Sequence, residues 1–368
     1  MTSEHRARRN RKERLSRVKN ILGLKKCSHI LITDTVDVEY VCGFHASNAF
    51  VLISPDKNIL FSDFRYREAA RAFCRSHAQW RFVESRENNF SIFQEFCPVG
   101  SALGFQSTGL SVDLFDKLRR SLPKRRFVKL ADSIVNALVA KEEFEIDLML
   151  EAARIGDSAF VSTLEILRPR VTEKEVALFL EQQCRNGGSE KPSFDTIVLF
   201  GGRSALPHGE PSDERLKKGD WVLIDFGCTV DGFSSDMTRT VVAGKANGRQ
   251  KEIYGIVLEA QQKARGCVKE GVSACGVDRC AREEIEKAGY AKYFGHATGH
   301  GVGRRIHESP RVSRDNKAIL QRRTVITIEP GIYIPRFGGV RIEDMVVVQQ
   351  GGSRLLTNAP RHLMELDI

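Results

Sequence analysis

Two acidic residues interrupt a pair of apolar, strand-like segments between residues 220 and 243. The dipeptide Asp231-Gly232 separates the segments, and this pair is a strong signal for a tight β-hairpin turn. If these two residues form the centre of the turn, Asp225 faces Thr238 across the hairpin. Asp236 then lies diagonal to Asp225 on the same face, with the two backbones roughly 7–8 Å apart. The spacing therefore predicts that both carboxylates reach a common point.

A second hairpin, over residues 326–348, is predicted to repeat this arrangement. A turn centred at Arg336 places Glu329 opposite Glu343. A slip of one residue in that register would move one of the two side chains to the other face of the hairpin. Arg341 lies two residues from Glu343 and is therefore expected on the same face.

Four acidic side chains in otherwise apolar strands need a compensating charge. A buried carboxylate is tolerated when it is paired or bound to a metal. One such acid is typical of an ordinary hydrogen-bonded polar residue, but two hairpins with the same arrangement favour a metal site. Two divalent cations would balance the four negative charges, and a hydroxide bridging them would sit on a nearly neutral cluster. Paired metals about 3.5–4 Å apart are a known arrangement for hydrolysis.

The segment from Tyr293 to Glu308 is expected to supply the remaining ligand. It holds His296, His300 and His307 among several glycines, and glycine lets the backbone approach a site closely. A single histidine there would be typical of a structural hydrogen-bonding residue, whereas three in a short segment favour a site. His208 is a further candidate on a loop. Carboxylates with one imidazole suit manganese, cobalt, iron or zinc, and the sequence does not choose among them.

The length of 368 residues predicts two domains, because a single hydrophobic core rarely grows that large. Strands alternate with helices up to about residue 135, which indicates an α/β domain. The predicted organisation is a basic N-terminal tail over residues 1–13, a smaller domain over 14–137 and a catalytic domain over 138–368. In the last of these, helices are expected at 141–168, 173–187, 248–270 and 276–288, and strands at 194–200, 220–229, 233–243, 323–329 and 340–348.

Positive charge is concentrated at the start of the chain. The net charge is +10, and residues 1–19 carry eight basic side chains against two acidic ones. Such a segment is typical either of an arm that binds nucleic acid or an acidic surface, or of a solvated tail leading into a first helix. The solvated tail is favoured, since no aromatic residue alternates with the charges to stack on bases. Nucleic-acid binding is therefore not expected.

The sequence also predicts a cytoplasmic protein without membrane contact. No apolar run approaches the ~20 residues of a membrane-spanning helix, and the first residues lack the apolar core of a secretory signal. The nine cysteines are odd in number and form no Cys-x-x-Cys pair. We therefore expect reduced, mostly buried thiols and no disulfide framework. Cys275 and Cys280 have the wrong spacing for a zinc knuckle and are expected to be ordinary core residues.

The linked order of these motifs resembles that of the M24 "pita-bread" metallopeptidases, which include aminopeptidase P, prolidase and methionine aminopeptidase, with creatinase as a relative. The matching segments within residues 139–368 are Phe194–Val198, Leu206–His208, Ile224–Gly227, Ser235–Thr240, Gly299–Gly303, Ile328–Gly331 and Arg341–Asp344. Residues 30–33, 41–44 and 61–66 resemble the amino-terminal domain of aminopeptidase P, prolidase and creatinase. The resemblance therefore covers nearly the whole chain beyond the basic start.

The resemblance implies an α+β fold, in which a curved antiparallel sheet is flanked by helices and preceded by a smaller α/β domain of the creatinase type. Carried over position by position, it assigns two divalent metals to five side chains: Asp225, Asp236, His300, Glu329 and Glu343. It assigns catalytic positions to Glu329, His307, His208 and Arg341. It assigns substrate-binding positions to His208, His296, His307, Ile306, Tyr333 and Arg341. The presence of all five ligands argues against a metal-free creatinase.

The resemblance also implies a reaction, in which a metal-bridging hydroxide attacks the scissile carbonyl. Glu329 would accept the proton and later return it. His307, with His208, would stabilise the oxyanion or the scissile nitrogen. Arg341 would either orient Asp225 or meet a substrate carboxylate, and the sequence leaves both roles open.

The expected enzyme is an aminopeptidase P-like hydrolase that cleaves the Xaa-Pro bond at the N-terminus of peptides with proline at the second position. Manganese is the foremost metal, with cobalt, zinc or iron as alternatives, and a homodimer is expected. The first alternative is a Xaa-Pro dipeptidase (prolidase), which accepts only dipeptides. The second is a non-catalytic pita-bread module that binds histones or RNA and has lost its metals.

Overall fold

The computed structural model describes residues 3–85 and 90–368, without the side chains of residues 3–12, 131 and 132. Contacts within the chain divide it into two compact units, Met1–Leu138 and Val139–Ile368. None of the helices in the described ranges combines the length and the apolar character that crossing a bilayer requires.

The first unit folds around a mixed sheet. Its strands are β1 His29–Ile32, β2 Ala49–Ile53, β3 Asn58–Ser62, β4 Trp80–Glu84, β5 Ala102–Phe105 and β6 Arg126–Lys129. Across the sheet their order is β4-β3-β2-β1-β5-β6. The pairs β1–β2 and β2–β3 are antiparallel, and the outer strands join in parallel. Its helices are α1 Ser3–Leu24, α2 Thr35–Cys42, α3 Arg67–Ser76, α4 Val112–Ser121 and α5 Ala131–Leu138.

Helix α1 begins at Ser3 and so includes most of the segment that the sequence analysis treats as a tail, residues 1–13. Its Leu15, Val18 and Ile21 are buried, because apolar residues three apart fall on one face of a helix. The side chains of residues 1–12 lie outside the described residues, so the role of the basic N-terminal segment stays a prediction.

The second unit contains longer helices and several antiparallel sheets. Its helices are α6 Glu143–Leu164, α7 Glu173–Asn186, α8 Gly248–Cys267 and α9 Ala274–Lys287. Its strands are β7 Ile197–Phe200, β8 Trp221–Phe226, β9 Thr229–Val230, β10 Phe233–Ser234, β11 Met237–Ala243, β12 Gly299–Gly301, β13 Glu308–Val312, β14 Val325–Ile328, β15 Gly331–Ile334, β16 Gly338–Arg341, β17 Asp344–Val348, β18 Ser353–Leu355 and β19 Glu365–Leu366. The larger sheets have the orders β19-β11-β8-β7 and β13-β12-β14-β17-β18.

Each of these two sheets shares a hydrophobic core with a pair of helices. Helices α6 and α7 pack with β7, β8 and β11 around Phe160, Leu180 and Ile224. Helices α8 and α9 pack with β14 to β17 around Val257 and Val277. The backbone N–H of Glu343 donates to the carbonyl of Thr238 at 3.1 Å, which joins β11 to the chain just before β17. The two packed layers therefore meet where the predicted ligands lie.

The structure confirms the register of both predicted hairpins. Thr238 pairs with Asp225 across β8 and β11. In the second hairpin the pairs Gly331–Arg341 and Ile328–Asp344 flank Glu329 and Glu343, so these two glutamates face each other as predicted. Arg336, at the centre of the turn, has a φ of 68°, in the left-handed region that tight turns use.

The cysteine prediction is wrong at one pair, because Cys267 and Cys280 form a disulfide. Cys267 ends α8 and Cys280 lies in α9, and these helices pack side by side in the core described above. That packing brings together two residues 13 positions apart, which spacing alone does not reveal. The other seven cysteines form no disulfide with any described residue, and most of them are buried as expected.

Candidate metal centre

The five predicted ligands lie on five different segments and line one cavity of about 570 Å³ in the second unit. Asp225 lies in β8, Asp236 precedes β11, His300 lies in β12, Glu329 follows β14, and Glu343 precedes β17. Asp236, His300 and Glu343 offer ligand atoms within 4.8 Å of one another. Nε2 of His300 is 3.5 Å from an oxygen of Asp236 and 3.5 Å from Oε1 of Glu329. The predicted convergence is therefore present in the fold.

The imidazole of His300 is oriented for metal binding. Its Nδ1 is 3.0 Å from the carbonyl oxygen of Gly301, to which it donates. This bond fixes the tautomer and leaves the lone pair of Nε2 directed at the carboxylates. Metal-binding histidines usually donate their second ring N–H in this way. The local bond therefore fits the ligand role.

The carboxylates of the site repel one another in a buried setting. Burial raises the pKa of Asp236 well above its usual range, and the charge of Glu343 raises it further. Burial, with the charge of Glu329, likewise raises the pKa of Glu343. Burial raises the pKa of Glu329 to about 7. Oδ1 of Asp225 is buried without a hydrogen-bond partner among the described residues. This donor set suits divalent cations, which would relieve the repulsion.

Arg341 and Thr238 form hydrogen bonds that fix the carboxylates of Asp225 and Glu343. Thr238 donates through Oγ1 to Glu343 at 2.6 Å, and Nε of Arg341 donates to the same hydroxyl at 3.0 Å. Nη2 of Arg341 is 2.5 Å from Oδ2 of Asp225, and Nη1 donates to the hydroxyl of Tyr333 at 2.8 Å. All of these groups are buried, so the network fixes one oxygen of Asp225 and leaves the other open.

Five of the six residues predicted to meet the substrate line the same cavity, and the sixth, Tyr333, lies behind them. His208, His296, Ile306 and His307 line it, and the hydroxyl of Tyr333 lies 2.9 Å from Nε2 of His296. Burial, followed by the charge of Arg341, lowers the pKa of His296 to about 4. Burial also lowers the pKa of His307, whose ring lies edge-on to that of His300 at 4.4 Å. Both imidazoles are therefore neutral at pH 7.

Three charged residues that line the cavity were not predicted as site residues: Asp195, Glu308 and Arg311. Arg311, in β13, is exposed, and its side chain has no ion pair among the described residues. Glu308, at the start of β13, forms a 2.6 Å ion pair with Lys141. Nothing in the local sequence separates Arg311 from the other arginines, because only the pairing of β13 with β12 brings it to the site.

Comparison with known proteins assigns the family. The profile of metallopeptidase family M24 matches residues 147–350, and that of the creatinase/prolidase N-terminal domain matches residues 14–138. A Xaa-Pro dipeptidase from Pyrococcus furiosus is 37% identical over 354 residues, covering 96% of this chain and all of that protein.

Solved structures of Xaa-Pro peptidases also match the chain over nearly its whole length. A Xaa-Pro dipeptidase from Bacillus anthracis has a TM-score of 0.90 at 34% identity, with 96% of this chain and 99% of that chain covered. An X-Pro aminopeptidase from Thermotoga maritima has a TM-score of 0.85 at 33% identity, with 95% and 99% covered.

The fold and these matches define a metallopeptidase. The chain belongs to metallopeptidase family M24, with a creatinase/prolidase N-terminal domain ahead of the pita-bread catalytic domain. The predicted resemblance, the α+β fold class and the enzyme class are thereby confirmed. The assignment of individual ligands and substrate-binding residues stays a prediction, which the geometry of the cavity supports.

Proposed function

We propose that this protein is a Xaa-Pro dipeptidase that uses two divalent metal ions held by Asp225, Asp236, His300, Glu329 and Glu343. Proteins named Xaa-Pro dipeptidase match it over nearly the whole chain, both in sequence and in structure. The aminopeptidase P-like activity expected from the sequence has less support than this alternative. It stays a second candidate because of the structural similarity to an X-Pro aminopeptidase.

The choice of a dipeptide substrate rests on the position of Arg311 in the cavity. Arg311 presents a cation to the cavity that holds the candidate metal centre, and no described residue forms an ion pair with it. In a dipeptide the free carboxylate lies on the proline, one residue from the scissile bond. A longer peptide has an uncharged amide at that point. A guanidinium pairs strongly with a carboxylate, so Arg311 favours the shorter substrate.

The protein groups around the cavity suit amide hydrolysis. Divalent ions bound to the five ligands would lower the pKa of a coordinated water toward ~7. Glu329, whose pKa is raised to about 7 by burial, would accept a proton from an attacking water and return it to the leaving nitrogen. The neutral imidazole of His307, with His208, lines the cavity as a donor to the developing oxyanion.

Manganese is the metal we propose first, because four carboxylates and one imidazole form an oxygen-rich ligand set. Cobalt, zinc and iron stay alternatives. The homodimer and the cytoplasmic location expected from the sequence also stay predictions.

A small substrate panel tests the proposal. Purified protein would be freed of metal, loaded with manganese, cobalt or zinc, and assayed with Ala-Pro, Ala-Pro-amide, Ala-Pro-Ala and Ala-Ala. A Xaa-Pro dipeptidase hydrolyses Ala-Pro far faster than the other three. Faster hydrolysis of Ala-Pro-Ala would instead establish the aminopeptidase. Metal-loaded protein that cleaves none of these peptides would overturn both candidates.

A further inference from the structure

Helix α9 carries a buried ion pair outside every motif that the sequence singled out. Asp278 and Arg282 are one helical turn apart and form a two-pronged contact, with nitrogen–oxygen distances of 2.8 and 2.7 Å. Their side chains are 1% and 13% exposed. A buried ion pair offsets its desolvation only when further hydrogen bonds satisfy the remaining donors and acceptors. The residues that form these further hydrogen bonds with Asp278 and Arg282 indicate the role of the ion pair.

Arg282 holds the segment that carries His296. Its Nη1 donates to the carbonyl of Phe294 at 3.1 Å, and its Nη2 donates to the carbonyl of His296 at 2.8 Å. The guanidinium also lies over the ring of Phe294, 4.2 Å from its centre. The ring of Phe294 in turn meets the His296 ring edge to face at 5.1 Å. Arg282 therefore fixes both the backbone and the ring environment of His296.

Asp278 holds the next part of the same segment. Its Oδ1 accepts hydrogen bonds from the backbone N–H and the hydroxyl of Thr298, at 3.2 and 2.8 Å. The carbonyl of Thr298 accepts a 2.8 Å hydrogen bond from the backbone N–H of Glu329. His300 follows Thr298 by two residues. Asp278 thus reaches the backbone of Glu329 through Thr298 alone, and that of His300 through Thr298 and Gly299.

The segment needs such anchoring because of its composition. Residues 295–303 contain Gly295, Gly299, Gly301 and Gly303, and glycine leaves the backbone free to adopt many conformations. The glycines at 299 and 301 have no room for a side chain, because a Cβ there would lie 2.0 and 2.2 Å from a neighbouring carbonyl oxygen. Because close packing excludes any larger residue at positions 299 and 301, the segment has to be held rigid by contacts with residues outside it.

We infer that Asp278 and Arg282 are positioning residues for the metal centre and for His296, an inference that rests on the proposed function. They act through Thr298, Phe294 and the carbonyl of His296, and neither lines the cavity. Their removal loosens His300 and Glu329 while all five ligands stay in the chain. Loss of a group that orients metal ligands typically weakens metal binding roughly 10–100-fold.

The test measures binding of Co²⁺ alone to metal-free protein, followed by its visible absorption, beside turnover of Ala-Pro. The variants are D278N, R282M and R282K, and the matched control is R279M. Arg279 is an exposed arginine on the same helix. D278N and R282M are expected to bind Co²⁺ roughly 10–100-fold more weakly, with a fall in kcat larger than any change in KM. R279M is expected to match the wild type.

R282K keeps the inference testable if the other variants fail to fold. A lysine retains the charge beside Asp278 but lacks the planar fork that serves two oxygens of Asp278 and two carbonyls together. We expect R282K to fold and to lie between the wild type and R282M in Co²⁺ affinity.

Folded variants with lowered melting temperature but wild-type Co²⁺ affinity and turnover would overturn the inference, since the pair would then be structural only. Wild-type protein that binds Co²⁺ but cleaves no Xaa-Pro peptide would overturn the proposed function alone. The comparison of Co²⁺ affinities among the variants would still decide the positioning role.

Discussion

The guanidinium of Arg341 lies 2.5 Å from Oδ2 of Asp225, and both groups are buried. Its Nε and Nη1 also donate, to the hydroxyls of Thr238 and Tyr333 at 3.0 and 2.8 Å. The sequence left two roles for Arg341, to orient Asp225 or to meet a substrate carboxylate. The observed contacts favour the first role, because four of the five guanidinium N–H groups already donate to Asp225, Thr238, Tyr333 and the carbonyl of Pro207.

The substitution R341K is therefore expected to lower metal affinity and kcat by at least about tenfold while KM for Ala-Pro changes little. The reason is that the single ammonium of lysine cannot contact Asp225, Thr238 and Tyr333 together, as the three nitrogens of the guanidinium do. Metal content after dialysis and steady-state kinetics with Ala-Pro measure both quantities. A rise in KM at unchanged metal content and kcat would assign Arg341 to the substrate instead.

The parts of the site that could be predicted are local in sequence. The register of a hairpin follows from its turn, so the facing of Asp225 with Thr238 and of Glu329 with Glu343 could be placed from Asp231-Gly232 and Arg336. The histidine was assigned from composition and resemblance, since the pairing of β12 with β14 joins residues far apart in the chain.

The features that could not be predicted depend on contacts between segments that are far apart in the chain. Arg311 reaches the cavity through the pairing of β13 with β12. The disulfide between Cys267 and Cys280 depends on the packing of α8 against α9. Periodicity shows which face of a helix is buried, but it does not show which helix covers that face.

Arg311 provides a test of substrate length. The substitution R311M removes the cation and keeps an unbranched side chain of similar reach. We expect KM for Ala-Pro to rise roughly 10–100-fold, the loss typical of a hydrogen-bonded charge pair, with kcat and metal content near wild type. Hydrolysis of Ala-Pro-amide serves as the internal control and is expected to change little, because that substrate has no carboxylate. Equal effects on the acid and the amide would contradict the carboxylate role.

Glu329 is expected to be indispensable for turnover but not for the fold. The substitution E329Q keeps the shape of the side chain and the 2.8 Å backbone bond to Thr298, yet it removes the proton acceptor. We expect kcat for Ala-Pro to fall by several orders of magnitude, since loss of a general base alone typically costs about 10²–10⁴-fold and a metal ligand is weakened as well. Circular dichroism and melting temperature are expected to stay close to wild type. Near-normal turnover in E329Q would remove Glu329 from proton transfer.

The ionisation of Glu343 makes the free energy of unfolding of the metal-free protein depend on pH. Burial and the charge of Glu329 raise its pKa well above the ordinary value of 4.5. The unfolded chain therefore loses this proton at lower pH than the folded, metal-free protein. As a result, this group lowers the free energy of unfolding as the pH rises above about 4.5. The effect is absent in acid and grows as the pH rises above 4.5 toward the raised pKa of the folded protein.

The substitution E343Q is consequently expected to raise the melting temperature of the chelated protein by a few degrees at pH 8 and to have little effect near pH 4.5. Glutamine retains an oxygen to accept the 2.6 Å hydrogen bond from Thr238, so packing is conserved. Excess manganese is expected to reverse the order, because metal that binds the folded state more tightly stabilises it more, and E343Q lacks a ligand. Thermal denaturation with EDTA and with manganese, at both pH values, measures all four cases. A chelated E343Q protein less stable than wild type at pH 8 would show that Glu343 is a structural residue and not a strained metal ligand.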